Sequence, residues 1–140
     1  MSDCIFCKIV AGEAPAALVH EDEVTVAFMD INPVTPGHLL VVPKEHHEYL
    51  ATVPGAVVSH TMLIAQWLAA ALRASPVRTE GINLFYADGA AAGQEVPHSH
   101  LHVVPRWQGD GFRVKATYGI PPDRDDLEEI AAGIRASAAD

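Results

Sequence analysis

Basic charge is scarce in this chain: 9 Lys and Arg stand against 18 Asp and Glu over 140 residues, for a formal net charge of −9. A general nucleic-acid binder neutralises phosphates with clustered Lys and Arg, so that class is excluded. Any phosphate the protein handles must be held locally, by histidines, backbone N–H groups and loop geometry. Cysteine is nearly absent too. Cys4 and Cys7 are the only two, too close together to join distant parts of a fold and too few for a secreted disulfide framework. No uninterrupted apolar run approaches the roughly 20 residues that span a bilayer, and Met1-Ser2-Asp3-Cys4 is not a basic segment leading into an apolar one. The expectation is a soluble, cytoplasmic protein with neither membrane nor nucleic-acid partner.

The length is that of one ordinary domain. No repeat or linker divides it, so residues 1–140 are expected to form a single domain. Ala17–Glu21 and Val24–Asp30 read as a hairpin around a charged turn, and His38–Pro43 as a third strand after the loop Asn32-Pro33-Val34-Thr35-Pro36-Gly37. Between Gly55 and Ser75, Val58, Met62, Ala65, Leu68 and Leu72 recur at helical spacing and predict one long helix. Ile82–Tyr86 and Val96–Arg106 supply two more strands. Asp123 is a candidate N-cap for a short amphipathic C-terminal helix carrying Leu127, Ile130, Ala131 and Ile134. The order of these elements predicts an α+β fold: a five-stranded antiparallel sheet with one long helix and a short C-terminal one.

The chemistry concentrates in Pro97-His98-Ser99-His100-Leu101-His102-Val103-Val104-Pro105-Arg106. On a strand, alternation sends the three imidazoles to one face. Burying three idle imidazoles there is costly, because each ring nitrogen needs a partner and any protonation repels its neighbours. Metal ligation and nucleophilic catalysis both use such a row. No carboxylate interrupts it, and the loop Gly89 to Gln94 ahead of it is glycine-rich and able to bring amides to a phosphate.

This segment resembles the signature of the histidine triad family, His-x-His-x-His followed by apolar residues. Cys4-Ile5-Phe6-Cys7-Lys8-Ile9, Phe28-Met29-Asp30-Ile31, Pro36-Gly37-His38 and Pro43-Lys44-Glu45-His46 agree in order and spacing. The resemblance runs nearly through Arg106 and is to the zinc-bearing, bacterial-type nucleotide hydrolase branch. It implies a homodimer of the histidine triad fold that hydrolyses a purine nucleotide substrate, a nucleoside phosphoramidate or dinucleoside polyphosphate. It also implies that His100 is the nucleophile, that His102 contacts phosphate and assists the leaving group, and that His38 braces the site. Asp30 would accept hydrogen bonds from the ribose, Ile31, Phe28, Phe6 and Ile9 would wall the base, and Gly93, Gln94 and Glu95 would hold the phosphate. Cys4, Cys7, His46 and His98 would bind a structural zinc. His47 is a rival ligand, and a redox pair is the alternative use of the cysteines.

Three positions depart from the family pattern. Ala87 stands where an amide side chain usually donates to phosphate, leaving Asp88 as the nearest polar group able to relay a water. Glu95 replaces a Ser or Thr, and Ser99 an apolar residue. The first two motivate a rival reading: a nucleotide-binding or partner-binding module with weak chemistry. A purely metal-dependent hydrolase is the third.

Overall fold

Asp22 closes the first hairpin. Its Oδ1 accepts the N–H groups of Val24 and Thr25, each at 2.8 Å, as a short carboxylate in a turn does. Its Oδ2 receives His20 at 2.7 Å and His60 at 2.8 Å, so one side chain ties the hairpin to the long helix. Burial opposes ionisation there, yet the bonds from His60, His20 and the backbone hold the carboxyl well below the usual carboxylate range.

The computed structural model describes residues 3–138. Strands β1 (Leu18–Glu21), β2 (Thr25–Met29), β3 (Leu39–Pro43), β4 (Gly81–Phe85) and β5 (Leu101–Arg106) form one antiparallel sheet in the order β1-β2-β3-β5-β4. The helices are α1 (Ile5–Val10), α2 (Gly55–Ala74) and α3 (Arg124–Ser137). The fold class is as expected. Alternation along the central strands divides the core: Ala27, Leu39, Val41, Leu101 and Val103 meet Ala65, Leu68 and Leu72 of α2, while Val26, Phe28, Leu40 and Val42 meet Phe6 of α1. Each such Leu or Val, buried on folding, contributes about 1.5–3 kcal/mol. The site lies on the α1 face.

Four details differ from the sequence reading. The last strand begins at Leu101, not Val96: the next pairing step would set Pro43 opposite Ser99, Pro43 has no N–H, and Ser99 N–H donates instead to the His47 carbonyl at 2.7 Å. A short helix, α1, opens at the cysteine pair, with Cys4 as its N-cap and Cys4 Sγ accepting the Cys7 N–H at 3.4 Å. The buried stripe of α2 is Thr61, Ala65, Leu68 and Leu72, while Val58 and Met62 face outward. By length and composition alone α2 is apolar enough to cross a membrane, although Ser59, His60, Thr61 and Gln66 interrupt it and one side packs on the sheet. Finally, α3 forms on its Asp123 cap, the carboxylate accepting the Asp126 N–H at 2.9 Å, but its apolar face is uncovered: Leu127, Ile130 and Ile134 are all exposed.

Gly37 sets the entry to β3. It has φ +101°, and a Cβ there would stand 2.5 Å from Val77 Cγ1, so only glycine fits the turn that aims His38 inward. Thr35, fully buried, fastens the same turn by donating to the Pro105 carbonyl at 2.7 Å.

Candidate active site and metal centre

A cleft of about 800 Å³ opens on the α1 face, with His100 and His102 at its base beside His38. His100 is 4% exposed. Its Nδ1 lies 2.6 Å from the His98 carbonyl, which can only accept, so Nδ1 carries the proton and Nε2 keeps a lone pair. Burial lowers the affinity of this ring for a second proton, against the pull of that carbonyl, Asp30 and Glu95. A neutral imidazole with a fixed lone pair is a nucleophile.

The opposite tautomer is imposed on His102 through a relay. Val34 N–H donates to His38 Nδ1 at 3.2 Å, which leaves the His38 proton on Nε2. That proton is donated to His102 Nδ1 at 2.9 Å, with Asp30 Oδ2 3.4 Å from the same His38 nitrogen. His102 is therefore left with its proton on Nε2. Burial first, then the neighbouring His100 and His38, push its pKa down to about 4, opposed by Asp30. Burial lowers His38 as well, again against Asp30. The two rings, one with a lone pair and the other with an N–H at Nε2, stand 4.9 Å apart, centroid to centroid.

Asp30 does two things: its Oδ1 accepts the Asn32 N–H at 2.8 Å, ending β2 in a turn, and the residue also lines the cleft. Phe6, Ile9, Phe28 and Ile31 line it too, with Phe6 edge-on to Phe28 and His100 at centroid distances of 5.4 and 5.0 Å. Ile31 is almost wholly exposed. Gly93 and Glu95 stand at the rim. Gln94 is not among the residues that line the cleft. Its Oε1 accepts the Gly89 N–H and its Nε2 donates to the Glu48 carbonyl, both at 2.8 Å, while its own N–H is used by the Gly89 carbonyl at 3.2 Å. Asp88 is likewise engaged, accepting the Leu50 N–H at 2.9 Å. Ser99 is buried and its hydroxyl pairs with that of Tyr86, so the polar substitution behind the triad is satisfied. The Val34 N–H and Tyr86 escaped the sequence reading; neither carries a motif.

A second cluster lies beside the first. Cys4 Sγ, Cys7 Sγ, His46 Nδ1 and His98 Nδ1 all lie within 4.8 Å of one another. Cys4 and Cys7 are 3.4 and 3.6 Å from His98, Cys7 is 3.4 Å from His46, and the two nitrogens are 3.0 Å apart. His98 Nε2 donates to the Pro43 carbonyl at 2.8 Å, so its Nδ1 lone pair points into the cluster. Edges of about 3.3–3.8 Å are those of a tetrahedron with zinc–nitrogen and zinc–sulfur bond lengths, so the donor set fits that ion. His47 is excluded from it, held by Thr52 at 3.2 Å and Glu45 at 2.8 Å. The cysteine pair does open a helix, contrary to expectation, but no strand precedes it among the described residues.

Comparison with known proteins agrees with this geometry. The family model described as HIT domain matches residues 11–109. An uncharacterized HIT-like protein of Borreliella burgdorferi is 47% identical over 135 residues, covering 96% of this chain and 97% of its own. The adenylylsulfatase HINT3 of Arabidopsis thaliana is 36% identical over 109 residues, 78% of this chain and 55% of that protein. Among solved structures, a HIT family member from Bacillus subtilis superposes with a TM-score of 0.89 at 38% identity, covering 99% of each chain. A Zn-bound histidine triad family protein from Mycobacterium smegmatis gives 0.75 at 39% identity, over 98% and 99%. A histidine triad nucleotide-binding protein from Candida albicans gives 0.85 at 29% identity, over 96% of each.

His102 stays neutral in the folded chain down to about pH 4, whereas an unfolded histidine takes up a proton near pH 6.5. Between those values the unfolded state holds more protons, so the unfolding free energy falls as pH drops from about 6.5 to about 4 and is flat above. His38, His98 and His100, also lowered mainly by burial, act with the same sign. Denaturant titrations from pH 7.5 to 4 are expected to show this decline, smaller by about 2–3 kcal/mol in His102→Gln; equal declines in the two proteins would contradict the assignment.

Proposed function

This chain belongs to the HIT domain family, and on that premise we propose that it is a nucleotide hydrolase acting through a covalent nucleotidyl-His100 intermediate. The observation that carries the proposal is the pair of opposite tautomers at the base of the cleft: a lone pair on His100 Nε2 and a proton on His102 Nε2. His100 attacks the phosphorus of a purine nucleoside phosphoramidate or dinucleoside polyphosphate. As the Nε2–P bond forms, the bond to the leaving group breaks, and the departing atom, hydrogen-bonded by the His102 Nε2–H, takes up a proton from solvent, so that His102 stays neutral. Water then attacks the same phosphorus, the Nε2–P bond breaks, and the water's proton returns to solvent, freeing His100 with release of a nucleoside monophosphate. His38 keeps His102 in register for both steps. Asp30 accepts from the ribose hydroxyls, and Phe6, Ile9, Phe28 and Ile31 enclose the base, with Gly93 and Glu95 at the rim. The names of the Arabidopsis thaliana and Candida albicans proteins, an adenylylsulfatase and a nucleotide-binding protein, support this class.

Cys4, Cys7, His46 and His98 would hold a structural zinc, as in the zinc-bearing branch of the family; the ion would supply a tie between α1 and the segments at His46 and His98. Cys4 and Cys7 are not joined in a disulfide, which fits a reducing compartment, the cytoplasm. Residues 1–140 act as one domain in this reading, and two chains form a homodimer. Exposed Met62 and Leu63 on α2, and Leu84 exposed on the edge strand β4, support that pairing. A weak nucleotide-binding module is the second reading. It is favoured by Ala87, which offers no side-chain donor, and by Gln94, whose side-chain amide is turned to the Glu48 carbonyl.

Brief mixing with adenosine 5′-phosphoramidate should give, by intact-protein mass spectrometry, one nucleotide added to the wild type and monophosphate in solution. His100→Asn is expected to lose the adduct and at least about 1,000-fold in turnover while remaining folded. Affinity for the monophosphate without adduct or turnover would instead select the binding module. Elemental analysis of the purified chain should find about one zinc, lost with Cys7→Ser together with thermal stability; a metal-free wild type as stable as the variant would reject the site. Light scattering is expected to give twice the chain mass of 15.0 kDa, and a monomer at micromolar concentration would refute the homodimer.

A further inference from the structure

Hydrolysis from the base of the cleft fixes where the leaving group goes. His100 is buried at the bottom, and in-line displacement expels the departing group opposite the nucleophile, outward to the mouth. Glu95 stands exposed at that mouth, on the cleft lining, close enough for its charge to act on His100. The other exposed glutamates near ordered cations are paired: Glu21 with Lys44 at 2.9 Å, Glu80 with Arg78 at 3.1 Å. Glu95 takes part in none of the ion pairs among the described residues. Nor does the lining offer a cation to offset it: besides histidine its only ionisable members are Asp30 and Glu95, without a Lys or Arg. A leaving group with several phosphates would bring negative charge beside a free carboxylate, and a protonated amine would meet its counterion there.

Resting on the hydrolase reading above, we propose that Glu95 makes the cleft select nucleoside phosphoramidates whose leaving amine bears a second, positively charged group, against anionic polyphosphate leaving groups. Glu95 is a specificity-determining residue in this account and exchanges no proton. The His100 Nε2–P bond forms, the P–N bond breaks, and the departing nitrogen, hydrogen-bonded by the His102 Nε2–H, takes up a proton from solvent, so a neutral amine carrying its separate ammonium group leaves past Glu95. At about 6 Å in a mostly aqueous mouth, such a charge pair changes rate by roughly three- to tenfold.

The test compares kcat/KM for the N-(3-aminopropyl) and N-butyl adenosine 5′-phosphoramidates, matched in length but not charge, and for bis(adenosine) tetraphosphate. Wild type is expected to prefer the charged amine over the neutral one by about three- to tenfold at low salt, with the preference fading as ionic strength rises to about 0.5 M. In Glu95→Gln that ratio should fall to about one while the tetraphosphate gains relative to the butyl compound, and Glu95→Lys should invert the order. Hydrolysis of both phosphoramidates with a wild-type ratio of one, or with a ratio unchanged in Glu95→Gln, would overturn the role of Glu95 and leave the hydrolase reading standing. Absence of adduct and turnover on every substrate would remove both.

Discussion

The hydrogen bond from His100 Nδ1 to the His98 carbonyl is the contact on which the rest of the site depends. Without it the His100 lone pair has no assigned nitrogen. The carbonyl is itself held in place by the His98 ring, whose Nε2 donates to the Pro43 carbonyl at the end of β3 and whose Nδ1 enters the cysteine cluster. One residue thus joins three things: the edge of the sheet ladder, the Cys/His cluster and the tautomer of His100. Two of its three contacts use ring atoms and the third uses backbone, so they are compatible. Separating the roles by mutation is correspondingly hard, because any replacement of the His98 ring disturbs the backbone that holds His100.

The tautomer logic extends outward on backbone groups alone. A carbonyl at His98 puts a proton on His100 Nδ1; an amide at Val34 keeps one off His38 Nδ1. Main-chain groups do not titrate in the working range, so they set these protons in a way that neighbouring charged side chains would not. Burial then keeps the rings neutral, and Asp30 moderates that effect without cancelling it in His38 and His102.

Much of this was legible in the sequence, for identifiable reasons. The alternating histidines, the cysteine pair and the Pro-Gly-His turn are local patterns, and their spacing constrains what they can reach. The start of β5 was not legible, because alternation continues through Pro97 and His98 whereas pairing stops where Pro43 offers no N–H. The contacts of Gln94 were hidden for a related reason. Its side chain is claimed by the Glu48 carbonyl, a partner distant in sequence that no local pattern announces. Helix α1 is only six residues long, too short for periodicity to register, and is held by its cap and by Phe6 packing on Phe28.

The strand order has a consequence in time rather than in space. In the sheet β1-β2-β3-β5-β4, the third strand finds its second neighbour only after the long helix and a further strand have been traversed, residues 39–41 pairing with 101–103. Such a pairing must overcome a large loop-closure entropy and belongs to the late, slow class of folding events. The wall of the cleft on β2 is local to the first hairpin and can be present early. His38 and His102 face one another only when that distant pairing closes, so the hydrogen bond between them and completed folding arrive together, and a chain still on the ribosome has one wall of the cleft long before it has the histidines at its base.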